Sequence, residues 1–270
     1  MNYQPPETLR DVHALVIDMD GVLWRGDTPL PGLTDFFDLM RRRRIAFRLA
    51  TNNASKTPDQ YVHKLAALGV QVTSDEVLTS AVATAQYLAA RAPGAAVYVV
   101  GGDGLRQAIR EHGLRLSDGG GADFVAVGWG PDLAYGQLVE AALLIRAGAG
   151  FIGSNPDRTL PSERGLLPGN GATLAFLEAA TDVAPLIIGK PERVMFEAAL
   201  AGMGVGAGRA AMLGDRLETD ILGGRQAGLC TILVLSGASD RAALAASPAQ
   251  PDWVFEGIWE LTQAWRGLPR

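Results

Sequence analysis

The stretch His13-Ala14-Leu15-Val16-Ile17-Asp18-Met19-Asp20-Gly21-Val22 decides the fold. Its first five residues predict a short buried β-strand, and two carboxylates follow that strand directly. Because side chains alternate along an extended chain, Asp18 and Asp20 point to the same side. Ligands of open α/β sheets bind at the carboxyl ends of the strands. The pair therefore predicts a cation site, although the motif alone also fits a solvated acidic turn.

Outward from this strand, short β-branched runs alternate with amphipathic stretches. This rhythm predicts a doubly wound parallel α/β sheet, with about ten strand candidates that suffice for two sheets. A helix is predicted over 217–227 between strands at 210–213 and 229–235. Residues 155–171 are rich in Gly and Pro, which predicts a loop.

Composition excludes several classes of protein. The 270 residues carry a net charge of −5, which argues against a general nucleic-acid binder. With Cys230 as the single cysteine, neither an internal disulfide nor a thiolate zinc site can form. The polar N-terminus lacks a signal segment, and no apolar run reaches the roughly 18 residues that a membrane span requires. We therefore expect a cytoplasmic protein with no membrane or nucleic-acid partner.

Three further segments follow predicted strands and offer groups that bind phosphate or metal. Thr51-Asn52-Asn53 offers a hydroxyl, amides and backbone N–H groups, although it also fits a helix cap. Gly189-Lys190-Pro191 places a cation before a helix, although the segment taken alone favours an exposed turn lysine. Asp215 and Asp220 in Gly214–Asp220 are suited to Mg²⁺ or to a helix N-terminus. Four such segments in this order indicate one site.

These segments resemble the four motifs of the haloacid dehalogenase superfamily, in the order DMDGV, TNN, GKP and GDRLETD. The similarity to its NagD-like, 4-nitrophenylphosphatase-like phosphatase branch is close and covers nearly the whole chain. TNNAS at 51–55, SNPD at 154–157 and VLSGAS at 234–239 are part of it. The resemblance implies a catalytic core over 1–82 and 183–270, with an inserted α/β cap over 83–182.

The resemblance also implies the roles of the motif residues in a phosphatase. Asp18 is the nucleophile that becomes an aspartyl phosphate, and Asp20 is the acid and then the base. Thr51 and Asn52 hold the phosphoryl group, and Lys190 neutralises its charge. The physical chemistry agrees, because an anionic nucleophile and an anionic ester need cations and N–H donors between them.

The cofactor implied by the resemblance is Mg²⁺. Its ligands are expected to be Asp18, the backbone carbonyl of Asp20, and Asp215. Asp220 is expected to support the site from beside Lys190.

The cap is expected to select the substrate, a small phosphorylated metabolite. Asn155, Asp157 and the loop up to Asn170 are the candidates for substrate contact, while an Asn-Pro-Asp turn explains the first two equally well. Trp24 and Arg25 follow the first motif, where the family has a short flap, and are further candidates. A homodimer formed through the cap fits the resemblance, but the sequence identifies no exposed apolar face.

Two other functions stay open at this point. A phosphotransferase or mutase would use the same nucleophile and pass the phosphoryl group to a hydroxyl. A non-catalytic regulator would bind Mg²⁺ and phosphate, or be phosphorylated on Asp18. Asp20 counts against the regulator, because an acid and base beside the acyl phosphate shortens its lifetime.

Overall fold

The apolar run after His13 forms strand β1 (Ala14–Ile17), and all four of its residues are buried. In this computed structural model, which describes residues 9–162 and 164–268, β1 lies inside a six-stranded sheet. The remaining strands are β2 (Trp24–Arg25), β3 (Thr28–Pro29), β4 (Ala46–Thr51), β5 (Val77–Thr79), β6 (Ala96–Val100), β7 (Arg115–Ser117), β8 (Phe124–Val127), β9 (Gly150–Gly153), β10 (Thr159–Ser162), β11 (Gly165–Pro168), β12 (Leu186–Ile187), β13 (Ala210–Gly214), β14 (Cys230–Val234) and β15 (Trp253–Phe255).

Helices connect most of these strands, as parallel pairing requires. They are α1 (Leu33–Arg43), α2 (Pro58–Ala67), α3 (Ser80–Arg91), α4 (Asp103–Glu111), α5 (Tyr135–Arg146), α6 (Asn170–Thr181), α7 (Arg193–Met203), α8 (Leu222–Gln226), α9 (Arg241–Ala246) and α10 (Ile258–Arg266). Helix α1 shows why they form. It buries Phe36, Phe37 and Met40 on one face and ends in the run Arg41–Arg43, whose charges complement the helix dipole.

The chain folds into two units. The first comprises the described residues of Met1–Ala50, Tyr61–Leu78 and Lys190–Arg270, and the second comprises Thr51–Gln60 and Thr79–Gly189. The strand order is β15-β14-β13-β1-β4-β5 in one sheet and β12-β9-β8-β6-β7 in the other. The pairs of β1 with β4 and β13 are parallel, as are those of β8 with β6 and β9. The α/β fold class predicted from the sequence is confirmed, whereas the division at 82/83 and 182/183 stays a prediction.

Each unit has its own apolar core. In the first, β1 supplies Leu15 and Ile17, which pack with residues of α1 and α10. In the second, Val125 and Val127 of β8 pack with buried residues of α5 and α6. Strands buried on both faces need apolar residues at successive positions, which is why the sequence shows them as short apolar runs.

One sequence prediction about local structure was wrong. Within the stretch 155–171, predicted as a loop, β10 and β11 pair as an antiparallel hairpin with Leu160 opposite Leu167. The helix predicted over 217–227 is confirmed over 217–226, although its first turn, Leu217–Ile221, is π-helical before the chain continues into α8. In the part of the chain described, helices that are both long enough and apolar enough to cross a membrane are not found.

Candidate active site

Asp18 and Asp215 follow neighbouring parallel strands of the first unit. Ile17 of β1 lies opposite Leu213 of β13, and the backbone N–H of Asp18 donates to the Leu213 carbonyl at 2.8 Å. Asp215 is the residue directly after β13. The sheet register thus places the carboxylates of Asp18 and Asp215 at the carboxyl ends of adjacent strands, where ligands of parallel α/β sheets bind.

Lys190 joins Asp18 to a third carboxylate. Its Nζ atom lies 2.6 Å from Asp18 Oδ1 and 2.8 Å from Asp220 Oδ1. The lysine is 2% exposed and Asp220 is fully buried, so water screens these ion pairs little. Sequence segments that are far apart in the chain are therefore brought into one charged cluster.

The three carboxylates also satisfy a simple test for a metal site. Asp18, Asp215 and Asp220 each offer an oxygen, and these oxygens lie within 4.8 Å of one another. Asp215 Oδ2 accepts from the Ala238 N–H at 2.6 Å, but its buried Oδ1 has no hydrogen-bond partner among the described residues. A buried charged oxygen without a partner is costly, and a divalent cation with a preference for oxygen would satisfy it. The donor set fits Mg²⁺.

Asp220 is bound differently from the other two acids. Its Oδ2 accepts from the backbone N–H groups of Asp215 at 3.2 Å and Arg216 at 3.1 Å, while Oδ1 faces Lys190. Both of its oxygens are thus engaged by the protein. This arrangement suits a residue that orients Lys190 and the Asp215 loop better than one that binds a cation directly.

Burial and crowding shift the ionisation of the cluster. Burial is the main reason why the pKa of Asp18 lies well above its usual range; Lys190 opposes this, and the charges of Asp220 and Asp215 add to it. Burial, helped by the charge of Asp220, raises the pKa of Asp215 to about 6. Burial works against the charge of Lys190, but Asp18 and Asp220 outweigh it and raise the lysine pKa. The cluster therefore holds more negative charge than Lys190 can balance.

Glycines let the backbone approach Asp215 closely. Gly21 has a φ of +85°, and a Cβ atom there would lie 2.3 Å from Asp215 Oδ2. A Cβ at Gly237 would overlap the same carboxylate oxygen. Ser236 donates from Oγ to the Gly21 carbonyl at 2.7 Å and so ties the two loops together. Side chains at these glycines would displace the acid.

Asp20 does not join the acidic cluster through its side chain. Its carboxylate is exposed, and Oδ1 accepts a hydrogen bond from the indole Nε1–H of Trp24 at 2.8 Å. Trp24 itself is fully buried. The prediction that Trp24 contacts the substrate was therefore wrong, because its side chain has no accessible surface. Arg25 is exposed, donates from Nε to the Ser236 carbonyl at 2.7 Å, and stays a candidate.

The other predicted site residues lie in the second unit. Thr51, the last residue of β4, is buried, and Asn52 is half-buried. Asn155 is 4% exposed and donates from Nδ2 to the Asn52 carbonyl at 2.7 Å. Asn52 Nδ2 in turn donates to Asp157 Oδ1 at 3.3 Å. The pair from the Asn-Pro-Asp segment thus lies directly against a predicted phosphate-binding residue.

The turn interpretation of the same segment also has support. The Asp157 N–H donates to Asn155 Oδ1 at 3.1 Å, which closes a local turn of the kind that Asn favours. Asn170 is buried at the start of α6, and its Nδ2 donates to the Asn155 carbonyl at 2.7 Å. Asn170 therefore supports the loop from the interior of the unit, and its contact with substrate stays a prediction.

Known proteins are similar to this chain in both sequence and fold. A haloacid dehalogenase-like hydrolase model matches residues 15–115, and a HAD-hydrolase-like model matches residues 187–261. An acid sugar phosphatase of Staphylococcus aureus is 38% identical over 252 residues, which cover 93% of this chain and 97% of the relative. The chain belongs to the haloacid dehalogenase-like hydrolase family.

Solved structures identify the branch of this hydrolase family. The 4-nitrophenylphosphatase of Thermotoga maritima superposes with a TM-score of 0.90 at 34% identity, covering 94% of this chain and 98% of its own. A glycerol phosphate phosphatase of Mycobacterium tuberculosis, solved in complex with magnesium, gives a TM-score of 0.85 at 38% identity, covering 93% and 76%. The predicted family, its NagD-like branch and the phosphatase class are confirmed.

Sequence reasoning gave no role to the loop 236–239 of this hydrolase. The loop surrounds Asp215: the Ala238 N–H donates to its carboxylate, and the Ser239 N–H donates to its carbonyl at 3.0 Å. Its position directly after a predicted apolar strand is the signal that could have revealed it. Strand β14 ends at Val234, two residues before the loop begins.

Proposed function

We propose that this hydrolase is a Mg²⁺-dependent phosphatase that hydrolyses small phosphomonoesters through an aspartyl-phosphate intermediate. The observation that carries the proposal is the buried cluster of Asp18, Lys190, Asp215 and Asp220 at the carboxyl ends of β1 and β13. Such a cluster supplies a nucleophilic carboxylate, a fixed cation and oxygen ligands in one place. Membership of a family that contains phosphatases supports the same activity.

Asp18 is assigned as the nucleophile. Its carboxylate oxygen bonds to phosphorus while the bond between phosphorus and the ester oxygen breaks, and Asp20 passes its proton to that oxygen to release an alcohol. In the second step water attacks phosphorus and gives its proton to Asp20, and the bond between phosphorus and Asp18 breaks. Inorganic phosphate leaves, and both acids return to their starting state.

Lys190 holds the Asp18 carboxylate in place and compensates the charge of the transferred phosphoryl group. Asp18, the carbonyl of Asp20, and Asp215 are the proposed ligands of Mg²⁺, and Asp220 orients Lys190. When bound, Mg²⁺ neutralises negative charge on phosphate and nucleophile, as divalent cations do in phosphoryl transfer. The unpartnered Oδ1 of Asp215 supports this ligand set.

Thr51 and Asn52 are proposed to bind the phosphoryl group. Asn155 and Asp157 belong to the proposed cap over 83–182, and their bonds to Asn52 support a role beside the substrate. The proposed substrates are small phosphorylated metabolites such as sugar phosphates, glycerol phosphate, phosphoglycolate, nucleotides or pyridoxal phosphate, with 4-nitrophenyl phosphate as an artificial substrate.

We also propose that two copies of this chain associate through the second unit. Tyr135, Val139 and Leu143 are exposed and recur every four residues, so they lie on one face of α5. Phe176 of α6 is exposed as well, and its ring contacts Tyr135 with centroids 6.3 Å apart. An apolar face of this kind suits a two-fold interface. Sedimentation equilibrium of the wild type and of Leu143→Glu tests it: a wild-type monomer contradicts the proposal.

Phosphate release from a panel of phosphomonoesters, with Mg²⁺ or with EDTA, tests the proposed activity. We expect release that requires Mg²⁺ and that is abolished in Asp18→Asn, while circular dichroism shows the variant to be folded. Acid quenching of the wild type during turnover should trap a phosphoryl group on Asp18.

Three results would contradict the proposal. Turnover in EDTA at the rate measured with Mg²⁺ would refute the metal requirement, and substantial activity in Asp18→Asn would refute the nucleophile. Transfer of the trapped phosphoryl group to an added sugar or polyol in preference to water would favour a phosphotransferase instead.

A further inference from the structure

The hydrogen bond between Trp24 and Asp20 has no part in the mechanism proposed above. The indole Nε1–H donates to Asp20 Oδ1 at 2.8 Å. Trp24 is fully buried, whereas Asp20 is exposed, so the bond runs from the core of the first unit to a group that reaches solvent. An exposed Asp side chain otherwise has free choice among its rotamers.

Two contacts from α2 hold the Trp24 ring in position. Tyr61 of α2 stacks on it with centroids 6.5 Å apart and planes inclined by 18°. The Lys64 ammonium lies 4.5 Å from the centre of the ring and also donates to the Gly26 carbonyl at 2.6 Å. Lys64 thereby fastens the β2–β3 hairpin that carries Trp24 to α2. Because the indole N–H is held in place, it can orient the Asp20 carboxylate that accepts its hydrogen bond.

We propose that Trp24 is a positioning residue for Asp20, and that it determines which oxygen of this acid faces the leaving group. An indole N–H is a donor only, so the oxygen it binds must keep a lone pair towards it. Oδ1 of Asp20 is therefore held as an acceptor, and because the carbonyl oxygen of a carboxylic acid accepts better than its hydroxyl oxygen, the acid form favours its proton on Oδ2. This inference rests on the proposed function, because it assigns a direction to the proton that Asp20 delivers.

Comparing esters with different leaving groups distinguishes a role of Trp24 in positioning Asp20 from a role in stability alone. An alkyl phosphate releases a strongly basic oxygen that needs the proton of Asp20, whereas 4-nitrophenolate leaves without one. The ratio kcat/KM reports only the steps up to departure of the leaving group. Loss of correct positioning should therefore lower kcat/KM for an alkyl phosphate and leave that for 4-nitrophenyl phosphate nearly unchanged.

The test uses Trp24→Phe in the full chain with Mg²⁺, and Trp265→Phe as a matched control. Trp265 is also buried in the first unit and also donates its indole N–H, to the Leu9 carbonyl at 2.9 Å. For Trp24→Phe we expect kcat/KM with glycerol phosphate to fall about 10- to 100-fold, the range for losing a hydrogen bond to a charged group. With 4-nitrophenyl phosphate it should fall less than about threefold, and Trp265→Phe should not discriminate between the esters.

A double-mutant cycle strengthens the test, because a residue that acts only through Asp20 has no effect in its absence. In the Asp20→Asn background, Trp24→Phe should leave kcat/KM with glycerol phosphate unchanged. Equal losses for both esters in Trp24→Phe, or a further loss in the double variant, would overturn the inference while leaving the proposed function intact. A wild type that hydrolyses neither ester overturns both.

A second measurement covers the case in which Trp24→Phe does not fold. Each tryptophan gives one indole N–H signal in a nitrogen–proton NMR spectrum. Asp20→Asn should shift one such signal, and it should not be the signal that disappears in Trp265→Phe. If Asp20→Asn moves no indole signal, the hydrogen bond is absent in solution and the inference is wrong.

Discussion

Replacing Asp215 with Asn tests whether the acidic cluster is built for a cation at the expense of stability. Asp215 is 2% exposed, and its carboxylate shares a small space with those of Asp18 and Asp220. Asn has almost the same shape but no charge. We predict that Asp215→Asn raises the stability of the metal-free protein at pH 7.5 and removes most of the stabilisation that Mg²⁺ provides.

The size of the effect follows from the ionisation of Asp215. Burial raises its pKa from 3.8 to about 6, a difference that corresponds to about 3 kcal/mol at pH values above both. The variant weakens the bond from the Ala238 N–H by roughly 1 kcal/mol, because the acceptor becomes neutral. A net gain of about 2 kcal/mol should raise the melting temperature by about 4–8 °C, given 2–4 °C per kcal/mol for a unit of this size.

The sign of the pH dependence follows from the direction of the shift. A carboxyl group whose pKa is raised by folding contributes stability that is complete below the unfolded pKa of 3.8. That stability is lost as the pH rises through the folded pKa of about 6. The advantage of Asp215→Asn should therefore be largest at pH 7.5 and shrink towards pH 5.

Melting temperatures of wild type and variant, measured at pH 5 and 7.5 in EDTA and in Mg²⁺, provide the assay. Saturating Mg²⁺ at a hundred times its Kd should stabilise the wild type by about 2.7 kcal/mol and the variant far less. Asp252→Asn is the matched control, because Asp252 accepts a backbone N–H from Thr231 at 2.8 Å, away from the cluster. It should lower the melting temperature and leave the Mg²⁺ effect intact.

Two outcomes would refute this reasoning. If Asp215→Asn melts below the wild type at pH 7.5 in EDTA, the buried carboxylate is not a source of instability. If Mg²⁺ protects the variant as strongly as the wild type, Asp215 is not a ligand of the cation.

Three further changes have defined outcomes. Lys190→Met should lower kcat for 4-nitrophenyl phosphate by about 10²–10³-fold. A loss below about tenfold in the folded variant would contradict the proposal that Lys190 compensates the charge of the phosphoryl group. Gly21→Ala forces a side chain into backbone with φ of +85° and against Asp215, so Mg²⁺ titrations of the melting temperature should show weaker binding; unchanged affinity argues against the close packing. Asn155→Ala removes one of two donors to the Asn52 carbonyl, since Ser80 Oγ also donates to it at 2.6 Å, and should lower the free energy of unfolding in urea by about 0.5–1.5 kcal/mol, whereas no change would mean that water replaces the amide.

The sequence predicted those parts of the fold that have a clear period. Strand β1 and the acids after it were identified because a buried parallel strand is a continuous apolar run. Strands β2, β3 and β7 have only two or three residues and show no clear period, and they were missed. The β10–β11 hairpin was missed because its Gly and Pro residues are typical of loops.

The candidate site was predicted at the level of motifs, but its internal bonding was not. The π-helical turn at Leu217–Ile221 lets Asp220 reach back to two backbone N–H groups, a preference of Asp that competes with regular helix. The burial of Trp24 depends on Tyr61 and Lys64, which α2 brings against the hairpin. Contacts of this kind depend on tertiary packing, and no local pattern encodes them.

The charge of the cluster connects the fold to the proposed chemistry. When ionised, Asp18, Asp215 and Asp220 carry three negative charges against one positive charge on Lys190. A phosphomonoester would add further negative charge to this buried place, so the residues alone repel the proposed substrate. On this reasoning, we expect a cation to bind with the proposed substrate or before it. By the same reasoning we expect the metal-free protein to be less stable than Asp215→Asn, so that the Asp215 charge favours the proposed activity at the cost of stability.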